Sequence, residues 1–188
     1  MKNKLAIFDM DGTLFDTKAA LYESYKKAAE INSKNFSVGE EFFNQNCFGK
    51  SYKEFLTQYT DWDKSTVENV HDTKIKIYPD ILKKLSRKNE SLFDILHGLK
   101  INYWIALVTS ASKSGTMDLL SYFSCVKDFD LILTGEDVIH KKPDAEGFLK
   151  AIKYFSVTAD NTLIFEDSDE CIIAAKKIGV NVYKVELF

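Results

Sequence analysis

The sequence predicts an α/β fold, a doubly wound parallel sheet interrupted once by an all-helical insertion. Three observations predict it. Short apolar runs rich in β-formers stand at 5–8, 103–108 and 162–165, and each breaks off into small or acidic residues. Between and after them lie segments with apolar residues at the i, i+3, i+4, i+7 period of amphipathic helices. The stretch from Lys18 to Tyr78 carries helix patterns alone, without a convincing strand. Strands alternating with helices pair in parallel through right-handed crossovers, and ligands of such sheets settle at the carboxyl ends of the strands.

Taken in order, Leu5 to Phe8 is a buried strand that runs into Asp9-Met10-Asp11-Gly12-Thr13. Asp9 and Asp11 are two apart, so where the chain is still extended both carboxylates lean to one side of the strand end. An acidic turn is the plainer reading, since Asp-Gly is ordinary turn chemistry. From 18 to 31, Leu21, Tyr25, Ala28 and Ala29 form a helix stripe, stopped at 32–37. Residues 40–48 are rich in phenylalanine, and 51–59 set Tyr52, Phe55, Leu56 and Tyr59 on one face. Helical periodicity continues over 64–78, and Pro79 then marks a boundary. A helix over 91–100, a fully buried strand over 103–108, and a helix over 117–123 follow. Strand-like 130–134, a helix around Phe148, Leu149, Ile152 and Phe155, a strand at 162–165, a helix at 171–178 closed by Gly179, and a last strand at 180–185 complete the alternation. The division expected is an α/β core of 1–16 and 80–188 with a helical insertion of 17–79.

Composition excludes several classes. The 188 residues are 45% hydrophobic and 28% charged, the balance of a globular chain. Twenty-five Lys and Arg against 28 Asp and Glu leave a net charge of −3, so no basic field exists to collect nucleic acid. Cys47, Cys125 and Cys171 are scattered, without the spacing of a disulfide framework or a zinc site, which suits a reducing cytoplasm. Aspartates interrupt the N-terminal apolar run at once, so neither a signal peptide nor a membrane span is expected. His71, His97 and His140 are dispersed and are expected to be structural or solvated.

Four motifs then fall in order at strand ends or between elements: Asp9-Met10-Asp11-Gly12-Thr13, Leu107-Val108-Thr109-Ser110, Lys142-Pro143-Asp144 and Phe165-Glu166-Asp167-Ser168. The chain thereby resembles the haloacid dehalogenase superfamily of phosphotransferases, in the branch with a helical cap inserted after the first strand. The resemblance covers nearly the whole chain and rests most on the first motif. It implies that Asp9 attacks phosphorus and becomes an aspartyl-phosphate, splitting one difficult displacement into two. It implies that Asp11 protonates the leaving alkoxide and then takes a proton from the attacking water. Dehalogenating members lack this second aspartate, so Asp11 favours phosphate chemistry.

Two carboxylates facing a phosphate dianion need a hard cation, and Mg²⁺ suits oxygen ligands. By resemblance Asp9, the Asp11 carbonyl and Asp167 hold it, with Glu166 as a supporting ligand and Asp169 further out; both acids would equally suit a helix N-terminus. Lys142, the Thr109 hydroxyl and the Ser110 amide would neutralise the transferring phosphoryl group. The family pattern at this strand end can be laid on Thr109 or on Ser110, with Thr109 preferred, and Lys141 adjoins Lys142 closely enough to be confused with it. Asp16-Thr17 resembles the hinge of the cap, with Thr17 also suited to cap a helix. Gly49-Lys50-Ser51 resembles the cap loop that contacts substrate, with Lys50 and Lys53 as anion contacts. Tyr52 and Lys53 stand where a sugar-phosphate mutase would carry arginine. The reaction expected is therefore Mg²⁺-dependent hydrolysis of a small phosphorylated metabolite, a sugar phosphate, phosphoglycolate or nucleotide, by a monomer or weak homodimer. Hexose-phosphate mutation, and a catalytically silent phospho-ligand or partner-binding role, are the alternatives.

Overall fold

A computed structural model describes residues 2–186. The elements run β1 (Lys4–Phe8), β2 (Phe15–Asp16), α1 (Lys18–Ile31), α2 (Glu40–Asn46), α3 (Tyr52–Tyr59), α4 (Lys64–Leu85), β3 (Arg87–Lys88), α5 (Glu90–Leu99), β4 (Tyr103–Val108), α6 (Lys113–Tyr122), β5 (Leu131–Leu133), α7 (Glu146–Phe155), β6 (Thr162–Glu166), α8 (Asp169–Lys177) and β7 (Asn181–Lys184). Five strands make one parallel sheet in the order β5-β4-β1-β6-β7. The expected α/β architecture is present, with α1 to α4 as an all-helical segment between two parts of it.

Contacts divide the chain into two compact units, Met1–Asp16 with Arg87–Phe188, and Thr17–Ser86. In the first, β1 lies at the centre of the sheet, and Leu5, Ala6, Ile7 and Phe8 are fully buried, which explains its uninterrupted apolar run. Leu5 and Ile7 pack with Ala106, Val108, Ile164 and Phe148 on one face. Phe8 and Phe165, register partners on β1 and β6, stack at 4.5 Å. The short antiparallel pair β2–β3 joins the two crossings of the chain between the units. Arg87 holds Asp16 across it at 2.6 Å, and Asn89 binds the backbone of Leu14 and Thr13 at 2.9 and 3.1 Å.

The expected break at Pro79 is corrected: α4 runs through it to Leu85, and the units divide at Ser86. Proline removes one backbone donor from a helix and costs about 3 kcal/mol in its interior. Here buried Leu82 lies one turn beyond, and the Ser86 amide closes the helix on Leu82 O at 2.9 Å, so packing carries the helix past the proline. The helix expected at 117–123 begins at Lys113, because the Ser112 hydroxyl accepts from the Gly115 amide at 3.2 Å and caps it.

The helical unit has its own core of Tyr25, Ala28, Phe43, Phe55, Leu56, Trp62, Val67 and Val70, to which the phenylalanine-rich stretch contributes Phe43 while Phe42 stays exposed. Beside it Tyr52 stacks on the His71 ring with centroids 3.4 Å apart, and the Tyr25 hydroxyl lies 3.0 Å from His71 Nδ1. Burial first, and then the Lys74 charge, lower His71 to about 4. The unfolded chain therefore binds this proton before the folded one does. Stability from neutral His71 is complete above about 6.5 and is lost as pH falls from there toward about 4. Thermal melting of the native chain and of His71→Gln is expected to run parallel above that window, with the native chain losing ground within it. Parallel curves throughout would refute the shift.

Candidate active site

The sheet order brings three strand ends together. Backbone bonding sets their register: the Asp9 amide donates to Phe165 O at 3.0 Å, and the Thr109 amide to Leu133 O at 3.0 Å. Asp9 follows β1, Glu166 ends β6 and Asp167 follows it, and one oxygen from each lies within 4.8 Å of the others. Asp9 and Glu166 are buried and Asp167 is half-buried. Lys142, from the loop before α7, inserts among them with only 9% of its side chain exposed and binds both Asp9 Oδ1 and Glu166 Oε2, the latter at 2.8 Å. Lys142, not Lys141, is thus the lysine of the cluster.

The electrostatics follow from three carboxylates and one ammonium, all buried or half-buried. Burial pulls Lys142 down, but the Asp9 and Glu166 charges outweigh it and hold the ammonium well above the ordinary lysine range. Glu166 is pushed up to about 7 by burial first and by Asp9 second, against the pull of Lys142. Asp167 is raised for the same two reasons, opposed by the Thr13 hydroxyl that donates to its Oδ1 at 3.1 Å. Excess negative charge built from hard oxygen donors fits a divalent cation such as Mg²⁺, and Asp9, Glu166 and Asp167 could hold it.

Gly12 is the residue that admits Asp167. Its φ is +88°, and a Cβ there would stand 2.2 Å from Asp167 Oδ2. Around it the loop folds back on itself, with Phe15 N donating to Met10 O at 2.9 Å and Gly12 N to Phe15 O at 2.8 Å. Gly12→Ala is expected to cost about 1–3 kcal/mol through the left-handed strain. It should also weaken Mg²⁺ binding by displacing Asp167, readable by melting and by titration calorimetry. Unchanged Mg²⁺ affinity would mean that Asp167 need not stand where it does.

At the end of β4, Thr109 is buried and its hydroxyl accepts from the Ala111 amide at 3.0 Å, leaving its proton for another acceptor. The Ser110 hydroxyl is buried without a partner among the described residues. Both hydroxyls therefore remain available, and the choice between them stays open. Asp11 sits in the loop beyond β1 with its backbone bridged to Phe15. Asp169 is corrected: its carboxylate turns to Lys184 at 2.8 Å in the first turn of α8 and stays outside the acid cluster. Cys171, with its thiol raised to about 11 by burial first and Glu166 second, is an inert neighbour.

Thr17, Gly49, Lys50 and Lys53 lie in the helical unit. Thr17 precedes α1 without making a side-chain cap bond. Gly49 has φ +81°, and exposed Lys50 follows it. Lys53 pairs with Glu68 at 3.1 Å, and Glu68 also accepts from Tyr52 at 2.7 Å.

One positioning contact escaped the sequence. Glu146, in the first turn of α7, accepts from the amides of Ile139 and His140 at 3.0 and 2.8 Å and from Lys150 at 2.9 Å. These bonds, Lys150 first, hold it down to about 2 and tie the loop that carries Lys142 to α7. A glutamate directly after Asp144-Ala145, at the first position of a helix, is too common a pattern to signal this.

The chain is thus an α/β protein of the doubly wound parallel class, with three clustered acids that could hold a metal ion, and Lys142 among them, at the carboxyl edge of its sheet. The model of the haloacid dehalogenase-like hydrolases matches residues 6–185, and the chain belongs to that family. It is 29% identical over 180 residues to the phosphorylated carbohydrates phosphatase of Thermotoga maritima, covering 93% of this chain and 81% of the relative. It is 22% identical over 186 residues to a pyrophosphatase of Bacillus mycoides, covering 98% and 84%. Among solved structures, a Thermotoga maritima protein provisionally described as a β-phosphoglucomutase superposes with TM-score 0.79 at 27% identity, covering 98% of this chain and 87% of that one. A hydrolase of the same superfamily from Geobacter sulfurreducens superposes with TM-score 0.74 at 23% identity, covering 95% and 85%, a likeness of fold.

Proposed function

We propose that this protein is a Mg²⁺-dependent phosphatase of small phosphorylated metabolites that works through an aspartyl-phosphate on Asp9. The observation that carries the reading is the buried Asp9 carboxylate at the end of the central strand, clustered with Glu166 and Asp167 and bonded by Lys142. Bound Mg²⁺ would neutralise charge on the phosphoryl oxygens and let an anion approach the carboxylates. An Asp9 oxygen attacks phosphorus and the bond to the leaving oxygen breaks, the leaving alkoxide taking a proton from the Asp11 carboxyl. Water then attacks the aspartyl-phosphate, Asp11 takes its proton, and Asp9 is released with inorganic phosphate. Lys142 holds Asp9 in place and places positive charge beside the transferring group, while Thr109 and Ser110 offer donors to its oxygens.

The relatives named for phosphorylated carbohydrates and for pyrophosphate support the substrate class. Hexose-phosphate mutation is the second reading, favoured by the β-phosphoglucomutase-like structure. Three free cysteines support a reducing, cytoplasmic setting, and no described helix is long and apolar enough to cross a membrane. Phosphate release is to be measured with Mg²⁺ over sugar phosphates, phosphoglycolate, pyrophosphate and nucleotides. β-Glucose 1-phosphate with a bisphosphate primer separates the two readings, since isomer formed without free phosphate would establish the mutase.

A further inference from the structure

Lys141 and Lys142 are consecutive, yet their ammonium groups go to different places. Lys142 spans to the ends of β1 and β6, where Asp9 and Glu166 take its charge. Lys141 lies instead over Gly135, in the loop after β5. A Cβ on Gly135 would meet Lys141 Nζ at 2.7 Å, Lys141 Cε at 2.9 Å and the Ser110 carbonyl oxygen at 2.6 Å, so the lysine occupies space that only glycine leaves. The Gly135 amide donates to Ala111 O at 2.8 Å and ties this loop to the end of β4.

Charge is balanced differently at the two positions. Among the described residues nothing hydrogen-bonds or ion-pairs with the Lys141 ammonium. The acids of the surrounding loops are engaged elsewhere. Asp137 accepts the Thr134 amide and hydroxyl at 2.8 and 2.7 Å, and Glu136 accepts the Lys113 amide at 2.8 Å. Asp144 accepts the Glu146 amide at 2.8 Å, and Glu146 takes the Ile139 and His140 amides. Ser110, whose carbonyl oxygen borders the same Gly135, has a buried hydroxyl that is also unpartnered among the described residues. An exposed ammonium and a buried hydroxyl, both without acceptors, thus share the β4–β5 side of the same sheet edge. A charged donor beside a neutral one favours an anion over a sugar hydroxyl.

We propose that Lys141 is a specificity-determining residue that binds a second anionic group of the substrate. Preferred substrates then carry a phosphate or carboxylate beyond the phosphoryl group that is transferred. This rests on the phosphatase reading above.

The test uses non-hydrolysable phosphonates, which report binding without turnover. Titration calorimetry of the full chain with Mg²⁺ compares methylenediphosphonate and 3-phosphonopropionate, each with a second anion, against methylphosphonate, which has none. Lys141→Gln is expected to weaken the first two about tenfold and methylphosphonate by less than about twofold, with Lys141→Arg restoring affinity. Loss confined to the diphosphonate assigns the second group as phosphate, and loss confined to the carboxylate probe assigns it as carboxylate; either supports the proposal. Equal weakening of all three probes, no weakening, or no preference of the native chain for the doubly anionic probes overturns it. Hydrolysis of p-nitrophenyl phosphate by the native chain judges the phosphatase reading separately. Its absence beside a persisting binding difference would remove the hydrolase and leave Lys141 an anion contact.

Discussion

Asp9→Asn lowers phosphate release at least about a thousandfold while the chain melts close to the native temperature. The amide is nearly isosteric with the carboxylate and fits the same site, so the backbone bond from Asp9 N to Phe165 O at 3.0 Å stays in place. On the proposed mechanism the variant loses the nucleophile, and removing a covalent catalyst leaves only the residual rate of positioning and charge stabilisation. The variant also removes one of three clustered carboxylates, while Lys142 keeps Glu166 as its partner at 2.8 Å, so the ammonium is not left unpaired. Rapid-quench capture of the acid-stable or hydroxylamine-labile phosphoprotein checks the same point: label on the native chain and none on Asp9→Asn. Phosphate release persisting at more than a hundredth of the native rate would place the nucleophile elsewhere.

Lys142→Met costs about 3 kcal/mol of stability in metal-free buffer, because it strips the one ammonium from among buried carboxylates. Methionine fills similar volume, so the loss reports charge rather than a cavity. Asp9 and Glu166 then face each other without the cation that bonds both, and Asp167 lies within the same cluster. Added Mg²⁺ is expected to recover more of the melting temperature in the variant than in the native chain, since a divalent cation replaces part of the missing charge. Turnover should nevertheless fall about a hundredfold or more, because the proposed mechanism places this ammonium beside the transferring group. A variant as stable as the native chain without metal would show that the carboxylates take up protons instead, and would end the argument that Lys142 is their counter-charge.

The strands were legible because burial on both faces demands uninterrupted apolar runs: Leu5 to Phe8 and Tyr103 to Val108 could be read for that reason. The stretch from Lys18 to Tyr78 was legible as helical by its stripes. Pro79 misled, because a proline's local cost says nothing about what Leu82 packs against one turn later. The two-residue strands β2 and β3 could not be seen, since their pairing joins Asp16 to Arg87 across the entire helical segment.

For the site, the chemical types and their address were readable from the residues alone: Asp9, Asp11, Glu166 and Asp167 at or just beyond strand ends, because in a parallel sheet every strand delivers its carboxyl end to one edge. The partners of these groups came from the folded chain. It selected Lys142 over Lys141 for Asp9, turned Asp169 away to Lys184, and made Gly12 the space for Asp167. Such choices depend on where side chains from different elements converge, Lys142 and Asp9 being 133 positions apart and Asp169 and Lys184 only 15, and adjacent residues with the same chemistry are told apart only by the direction each one points.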